Sequence, residues 1–309
     1  MKLATTTGDY AGYTNDIDEM LKYISEAGFR YVDYNFHNDY NKKIGFFSGD
    51  DEGHLKKVLA SAEKYGIKFV QAHSPMGDVL GTGEGGPAFL ENTKKCVKYS
   101  KALGVDRIVV HSGYAKDISK EETFERNKMF YDSVLETAEN YGVNILTENF
   151  NKMFRDDMYW IDNVFDQREL IDFVSHPLFH GCLDFGHNNM QETAPDEAIK
   201  ALGKHLYALH VQDNPGDDDC HSGPFFGTMN LDSLMCGLIE NGYKGYFTFE
   251  ASRILRPASG RKIYEKHVVI AEALLKIGVE RETAYKDACK IEHDISDETF
   301  IKLKEFIKK

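Results

Sequence analysis

Residues 142–149 read Gly-Val-Asn-Ile-Leu-Thr-Glu-Asn: a glycine, a short run rich in aliphatic side chains, then a carboxylate. The glycine follows an amphipathic helical pattern over 121–140, where it suits a left-handed C-cap that only glycine enters freely. The run itself has the length of a strand. The same unit recurs along the chain. β-like runs lie at 2–6, 29–34, 67–72, 106–111, 143–148, 181–185, 206–211 and 245–250. Helical patterns such as 16–27, 54–65 and 88–103 fall between them, and Gly28, Gly66, Gly104 and Gly242 repeat the C-cap position. Strands alternating with helices at intervals of about 26–39 residues predict an α/β fold, a (β/α)8 TIM barrel. The barrel is placed at 1–280 and a C-terminal helical extension at 281–309. A doubly wound sheet would carry GxGxxG directly after its first strand. The match at Gly81-Thr-Gly83-Glu-Gly-Gly86 lies past the third strand and reads as a loop.

Charge narrows the function. The chain has 309 residues, with 50 acidic against 37 basic side chains and a net charge of −13. A nucleic-acid binder must neutralise phosphates with Lys and Arg, so this balance argues against DNA, RNA and anionic membrane surfaces alike. No apolar run approaches the roughly 18 residues of a membrane span. MKLATTTGDY, residues 1–10, has no apolar stretch suited to a signal peptide. The five cysteines lack CxxC spacing, which speaks against a disulfide framework or a cysteine zinc site. A cytoplasmic protein is the expectation.

In a barrel, chemistry gathers at the carboxyl ends of the strands. Here the third run ends in Gln71-Ala-His73, the fourth in His111, and the fifth in Glu148-Asn149. The sixth ends in Asp184-Phe-Gly-His187, the seventh in His210-Val-Gln-Asp213, and the eighth in Glu250. One such residue means little. Six consecutive strands would bring several carboxylates into one mouth, where like charges cannot all stay ionised without a cation. A divalent metal resolves the conflict.

These motifs, with His73-Ser-Pro75, Val110-His111-Ser-Gly113, Asp219-Cys-His221 and Gly245-Tyr-Phe-Thr-Phe-Glu250, occur in order, one per strand, to about residue 252. Together they resemble the xylose-isomerase-like barrel superfamily, which includes sugar isomerases and epimerases and the apurinic-site endonucleases. The resemblance implies four ligands to one divalent metal: Glu148, Asp184, His210 and Glu250. Their oxygen-rich chemistry suits Mn2+ first, with Mg2+, Co2+ or Zn2+ also suited. It further implies that Glu148 and Glu250 are the catalytic pair, one removing a proton beside a ketose carbonyl and the other returning it from the opposite face. Chelation by the metal would stabilise the enediolate between these steps. His187 looks like a substrate-hydroxyl contact, and His73, His111, Asp219, His221 and Trp160 complete the expected substrate-binding set.

The resulting expectation is a metal-dependent isomerase or epimerase of an unphosphorylated ketose or polyol. The loop 213–221 holds no cation, which disfavours a phosphate, although Arg253, Arg256 and Arg261 follow the eighth strand. Three alternatives stay open. A lyase or dehydratase could use the same enolisation, including deglycosylation of 3-keto-glycosides with a small β-rich partner subunit. An endonuclease could draw on nine donors, namely His73, His111, Glu148, Asp184, His187, His210, Asp219, His221 and Glu250. A non-catalytic sugar-binding or metal-binding barrel is the third. The apolar stretch 150–165, with Phe150, Met153, Phe154, Met158, Tyr159 and Trp160, and the pair Phe225 and Phe226 could form a lid, an aromatic-substrate pocket or a subunit contact. A homo-oligomer is expected, or a hetero-oligomer under the lyase reading.

Overall fold

A computed structural model describes residues 1–81, 83–151, 158–191, 193–255, 269–291 and 295–307. Eight parallel strands form the barrel. They are β1 (Lys2–Thr6), β2 (Tyr31–Asn35), β3 (Lys68–His73), β4 (Arg107–Val109), β5 (Asn144–Glu148), β6 (Phe179–Asp184), β7 (Leu206–His210) and β8 (Tyr246–Phe249). Each pairs in parallel with its neighbour in sequence from β1 to β7, and β8 pairs with β1. The last seam, between β7 and β8, is closed just beyond the strand ends. Val211 N donates to Thr248 O at 2.8 Å and Glu250 N to Val211 O at 3.1 Å. The (β/α)8 barrel expected from the sequence is present.

The glycine reading explains how the helices stop. Gly28, Gly66, Gly104, Gly142 and Gly242 all have positive φ. At helix ends such as Tyr65 and Tyr141, the next residue reverses the chain into the following strand. The interior of the barrel is filled by alternating strand residues, including a layer of Val109, Leu146, Cys182 and Ala208, all buried. The functional end of the barrel lies above this layer.

Contacts divide the chain into two compact units, Met1–Ser252 and Arg253–Lys309. The second unit has its own small core of Ile270, Ala271 and Ala288, packed by Leu274, Ile295 and Leu303. Its described helices include Arg281–Ile291 and Asp297–Ile307. No helix among the described residues is long and apolar enough to cross a membrane.

Candidate metal centre and active site

Strand register brings the four expected ligands together. Glu148 and Asp184 end β5 and β6, and Asp184 is the Cα partner of His210 at the end of β7. Glu250 follows β8 directly. Glu148, Asp184 and His210 are essentially inaccessible to solvent. His210 is the hub, with Nδ1 at 2.6 Å from Glu148 Oε1 and 3.6 Å from Glu250 Oε2. Donor atoms of Asp184, His210 and Glu250 lie within 4.8 Å of one another, as do those of Glu148, Asp184 and His187. Asp184 Oδ2 is buried without a hydrogen-bond partner. A buried carboxylate oxygen left open, beside two further carboxylates and an imidazole, fits a divalent cation.

Electrostatics points the same way. Burial alone would raise the Glu148 carboxyl, but its histidine partners, His210 first, outweigh it and hold the group well below the usual carboxylate range. Asp184 goes the other way, pushed up to about 6 by burial and by Glu148, with His187 opposing. Burial opposes charge on His210, yet its acidic surroundings carry it well above its ordinary value. Acids that draw a buried imidazole this far up would equally favour a cation placed among them.

The remaining expected residues form a second layer. His187 Nδ1 donates to Asn149 O at 3.0 Å, and its Nε2 lies 3.2 Å from Asp219 Oδ2. His221 Nδ1 donates to Glu250 O at 3.1 Å, with Nε2 at 3.5 Å from Asp219 Oδ1. Each ring therefore uses both nitrogens as donors, which favours the imidazolium. Burial would lower both histidines, but Asp184 and Asp219 raise His187 to about 10 and Asp219 raises His221 to about 9. On the other side, His73 Nδ1 donates to Ser74 O at 2.8 Å, and His73 and His111 bring Nε2 to 3.6 and 3.2 Å from Glu148 Oε2. Burial pushes His111 down to about 3, so it is neutral.

Trp160 sits farther out. Its ring stacks on Phe150 at 4.1 Å, and Phe150 in turn meets His187 and His111 at 5.0 and 5.2 Å. Phe225 and Phe226 are exposed at the surface. Met153, Phe154, Arg256 and Arg261 lie outside the described residues, as do the side chains of Met158 and Tyr159.

Sequence reasoning gave four neighbours no role. Gln71 Nε2 approaches His210 Nε2 at 2.6 Å, and Asp33 Oδ2 stands 3.7 Å from the same nitrogen. Gln212 donates to Asp219 Oδ1 at 2.7 Å. Asp9 accepts from Ala251 N at 2.9 Å, and burial with Glu250 nearby raises it to about 8. Period-two alternation counted back from His73 would have found Gln71, since both face the barrel interior.

Comparison with known proteins places this fold among relatives. Fructoselysine 3-epimerase of Shigella flexneri is 23% identical over 204 residues, covering 64% of this chain and 73% of its own. A crystal structure of a D-tagatose 3-epimerase-like protein superposes with a TM-score of 0.69 at 20% identity, covering 87% of this chain and 97% of the other. A family 2 AP endonuclease from Brucella melitensis gives a TM-score of 0.65 at 17% identity, covering 81% and 93%. The C-terminal residues 258–309 also match a family model described as the iron dependent repressor metal-binding and dimerisation domain, a segment too short to define the chain. Residues 21–271 match the family model described as the xylose isomerase-like TIM barrel, and the chain belongs to that family.

Proposed function

We propose that the protein is a divalent-metal-dependent sugar isomerase or epimerase acting on an unphosphorylated ketose or related polyol. The observation that carries this reading is the convergence of Glu148 and Glu250, from β5 and β8, on the single imidazole of His210. Two carboxylates held across one small volume can serve two faces of a planar intermediate. The names of the epimerase relatives support the same chemistry, and none of the relatives described above points to elimination.

Glu148, Asp184, His210 and Glu250 would hold the metal, with Mn2+ the best match to three carboxylates and one imidazole and Mg2+, Co2+ or Zn2+ as alternatives. When bound, the metal supplies Lewis-acid polarisation of a carbonyl oxygen. The chain's own groups do the rest. Glu148, held ionised by its histidine partners, His210 first, can take a proton, as a weaker base than an unshifted carboxylate. Glu250, less enclosed and entering from a different strand, would return one. His187 and His221, fixed through Asp219, place positive charge beside the carboxylates where substrate hydroxyls would sit. The seventh-strand loop keeps its acidic character, with Asp217 and Asp218 exposed and Asp219 turned inward, which disfavours a phosphate. Location in the cytoplasm and assembly into a homo-oligomer belong to the same proposal.

The test is solvent deuterium incorporation at the carbon beside a ketose carbonyl. Glu148→Gln or Glu250→Gln should each reduce it by about 10²–10⁴-fold. Persistent exchange in both variants would sink the two-glutamate mechanism. The endonuclease reading draws support from eight of its nine donors falling in overlapping clusters, with the ninth, His111, beside Glu148. It requires about three metals per chain and cleavage of an abasic duplex, which metal analysis and a nicking assay would decide.

A further inference from the structure

Next to the carboxylate cluster lies a cavity of about 730 Å³, within the range that ligands of some size fill and more than a six-carbon sugar needs. Its apolar lining is Met76, Val79, Tyr114, Phe150 and Trp160, and no Lys or Arg is found among its described lining residues. The aromatic members are organised. Trp160 lies between Phe150 and Tyr114, with both ring centroids at 4.1 Å, and Tyr114 is 42% exposed.

One residue belongs to both spaces. His111 lines the cavity while its Nε2 lies 3.2 Å from Glu148 Oε2. Its ring therefore ties the wall of the cavity to the carboxylate cluster. The walls are preformed. Asn127, fully buried, accepts from Gly113 N at 2.7 Å and donates to Gly113 O at 3.0 Å. A Cβ on Gly113 would come within 2.7 Å of Val79, so the loops after β3 and β4 meet where only glycine fits.

We propose that this cavity is a subsite for a substituent on the sugar, and that the substrate is a glycoside or other glycoconjugate whose appended group presents a flat apolar face. The inference rests on the isomerase reading and names the substrate class of that site. The keto sugar lies toward Glu148, and the substituent packs on Tyr114 and Trp160. An uncharged group suits the apolar lining.

The experiment compares solvent deuterium incorporation into a free ketose, a phenyl 3-keto-glucoside and a 3-keto disaccharide by the Mn2+-loaded protein. The expected result is at least about tenfold higher kcat/KM for the phenyl compound than for the free ketose, and a fall in that ratio of about fivefold or more in Tyr114→Ala, restored by Tyr114→Phe. Preference for the disaccharide over the phenyl compound, with the same Tyr114 dependence, identifies a second sugar ring as the group and upholds the proposal. Equal efficiency on free and substituted sugars, or a Tyr114→Ala loss shared equally by both, overturns it while leaving the isomerase reading intact. Absence of exchange with every sugar defeats the isomerase reading. Saturation-transfer NMR of unreactive phenyl glucoside then judges the subsite alone, since binding must weaken in Tyr114→Ala and recover in Tyr114→Phe.

Discussion

His210 is a ligand candidate whose orientation depends on residues that never touch a substrate. Nδ1 faces Glu148 and Glu250, so the ring is fixed by what meets Nε2. Asp33 Oδ2 lies 3.7 Å away and lacks any hydrogen-bond partner, and the Gln71 amide approaches at 2.6 Å. A carboxylate behind a ligating imidazole sets its tautomer and raises its basicity, and loss of such a partner weakens metal binding by about 10–100-fold. Asp33→Asn should therefore lower Mn2+ affinity by that factor in a calorimetric titration, without reference to turnover. Unchanged affinity would show that Gln71 alone orients the ring. Glu148, Asp184 and His210 were legible in the sequence because each ends its own apolar run, and Glu250 because it follows the last. Asp33 was not, because it sits inside FRYVDY rather than at its end, and the strand continues to Asn35.

At the scale of elements, the periodicity of the sequence located every barrel strand, and most differences are a residue or two at an end. β6 differs for an instructive reason. Its run was read from Gly181, yet the strand starts at Phe179, because His180 is taken into the sheet by side-chain partners that no local pattern reveals. His180 Nε2 meets Pro177 O at 3.1 Å, an oxygen that only accepts, so Nε2 carries the hydrogen. Nδ1 then accepts from His205 Nδ1 at 3.2 Å, while the ring stacks on Tyr207 at 3.6 Å. Burial, followed by His205, lowers His180 to about 4. The sign follows from proton counting. Between about pH 6.5 and 4 the unfolded chain binds a proton at this position that the folded chain does not, so stability falls as pH falls through that window. Discounted for partial solvent access, the loss is about 1–2 kcal/mol. His180→Phe keeps the stack and removes the titration. Urea denaturation at pH 7 and pH 4.5 should show the wild type losing about 1–2 kcal/mol more than the variant over this interval. Parallel losses would mean His180 is not held neutral. The short helices Phe36–Lys42 and Phe185–Asn189 also escaped the sequence reading. Each is capped by a residue at a strand end, Asn35 or Asp184, which the pattern of apolar positions does not distinguish from loop.

For the whole molecule, the net charge of −13 is unevenly placed, and part of it is locked inside the barrel mouth. Glu148, Asp184 and Glu250 reach one another only because β5, β6 and β8 are held in register with β7. In the unfolded chain these residues are separated by long stretches of sequence and cannot act as one site. A cation bound by all four donors consequently binds the folded barrel and has little affinity for the unfolded chain. The linkage can be calculated. At a free metal concentration of 100 times Kd, folding gains about 2.7 kcal/mol. For a domain of this order, each kcal/mol moves Tm by roughly 2–4 °C, so Mn2+ should raise Tm by about 5 °C or more over chelator-treated protein. Glu250→Gln should shrink that increment and Asp184→Asn should nearly remove it, because Asp184 Oδ2 is the buried oxygen left without a partner. The chelated variants provide a second check. Removing one buried acid from a crowded set relieves repulsion, so chelated Asp184→Asn should melt no lower than chelated wild type. If Mn2+, Mg2+, Co2+ and Zn2+ all leave Tm unmoved, the four residues are not a metal site, and their charge must be balanced by His187, His210 and His221 alone.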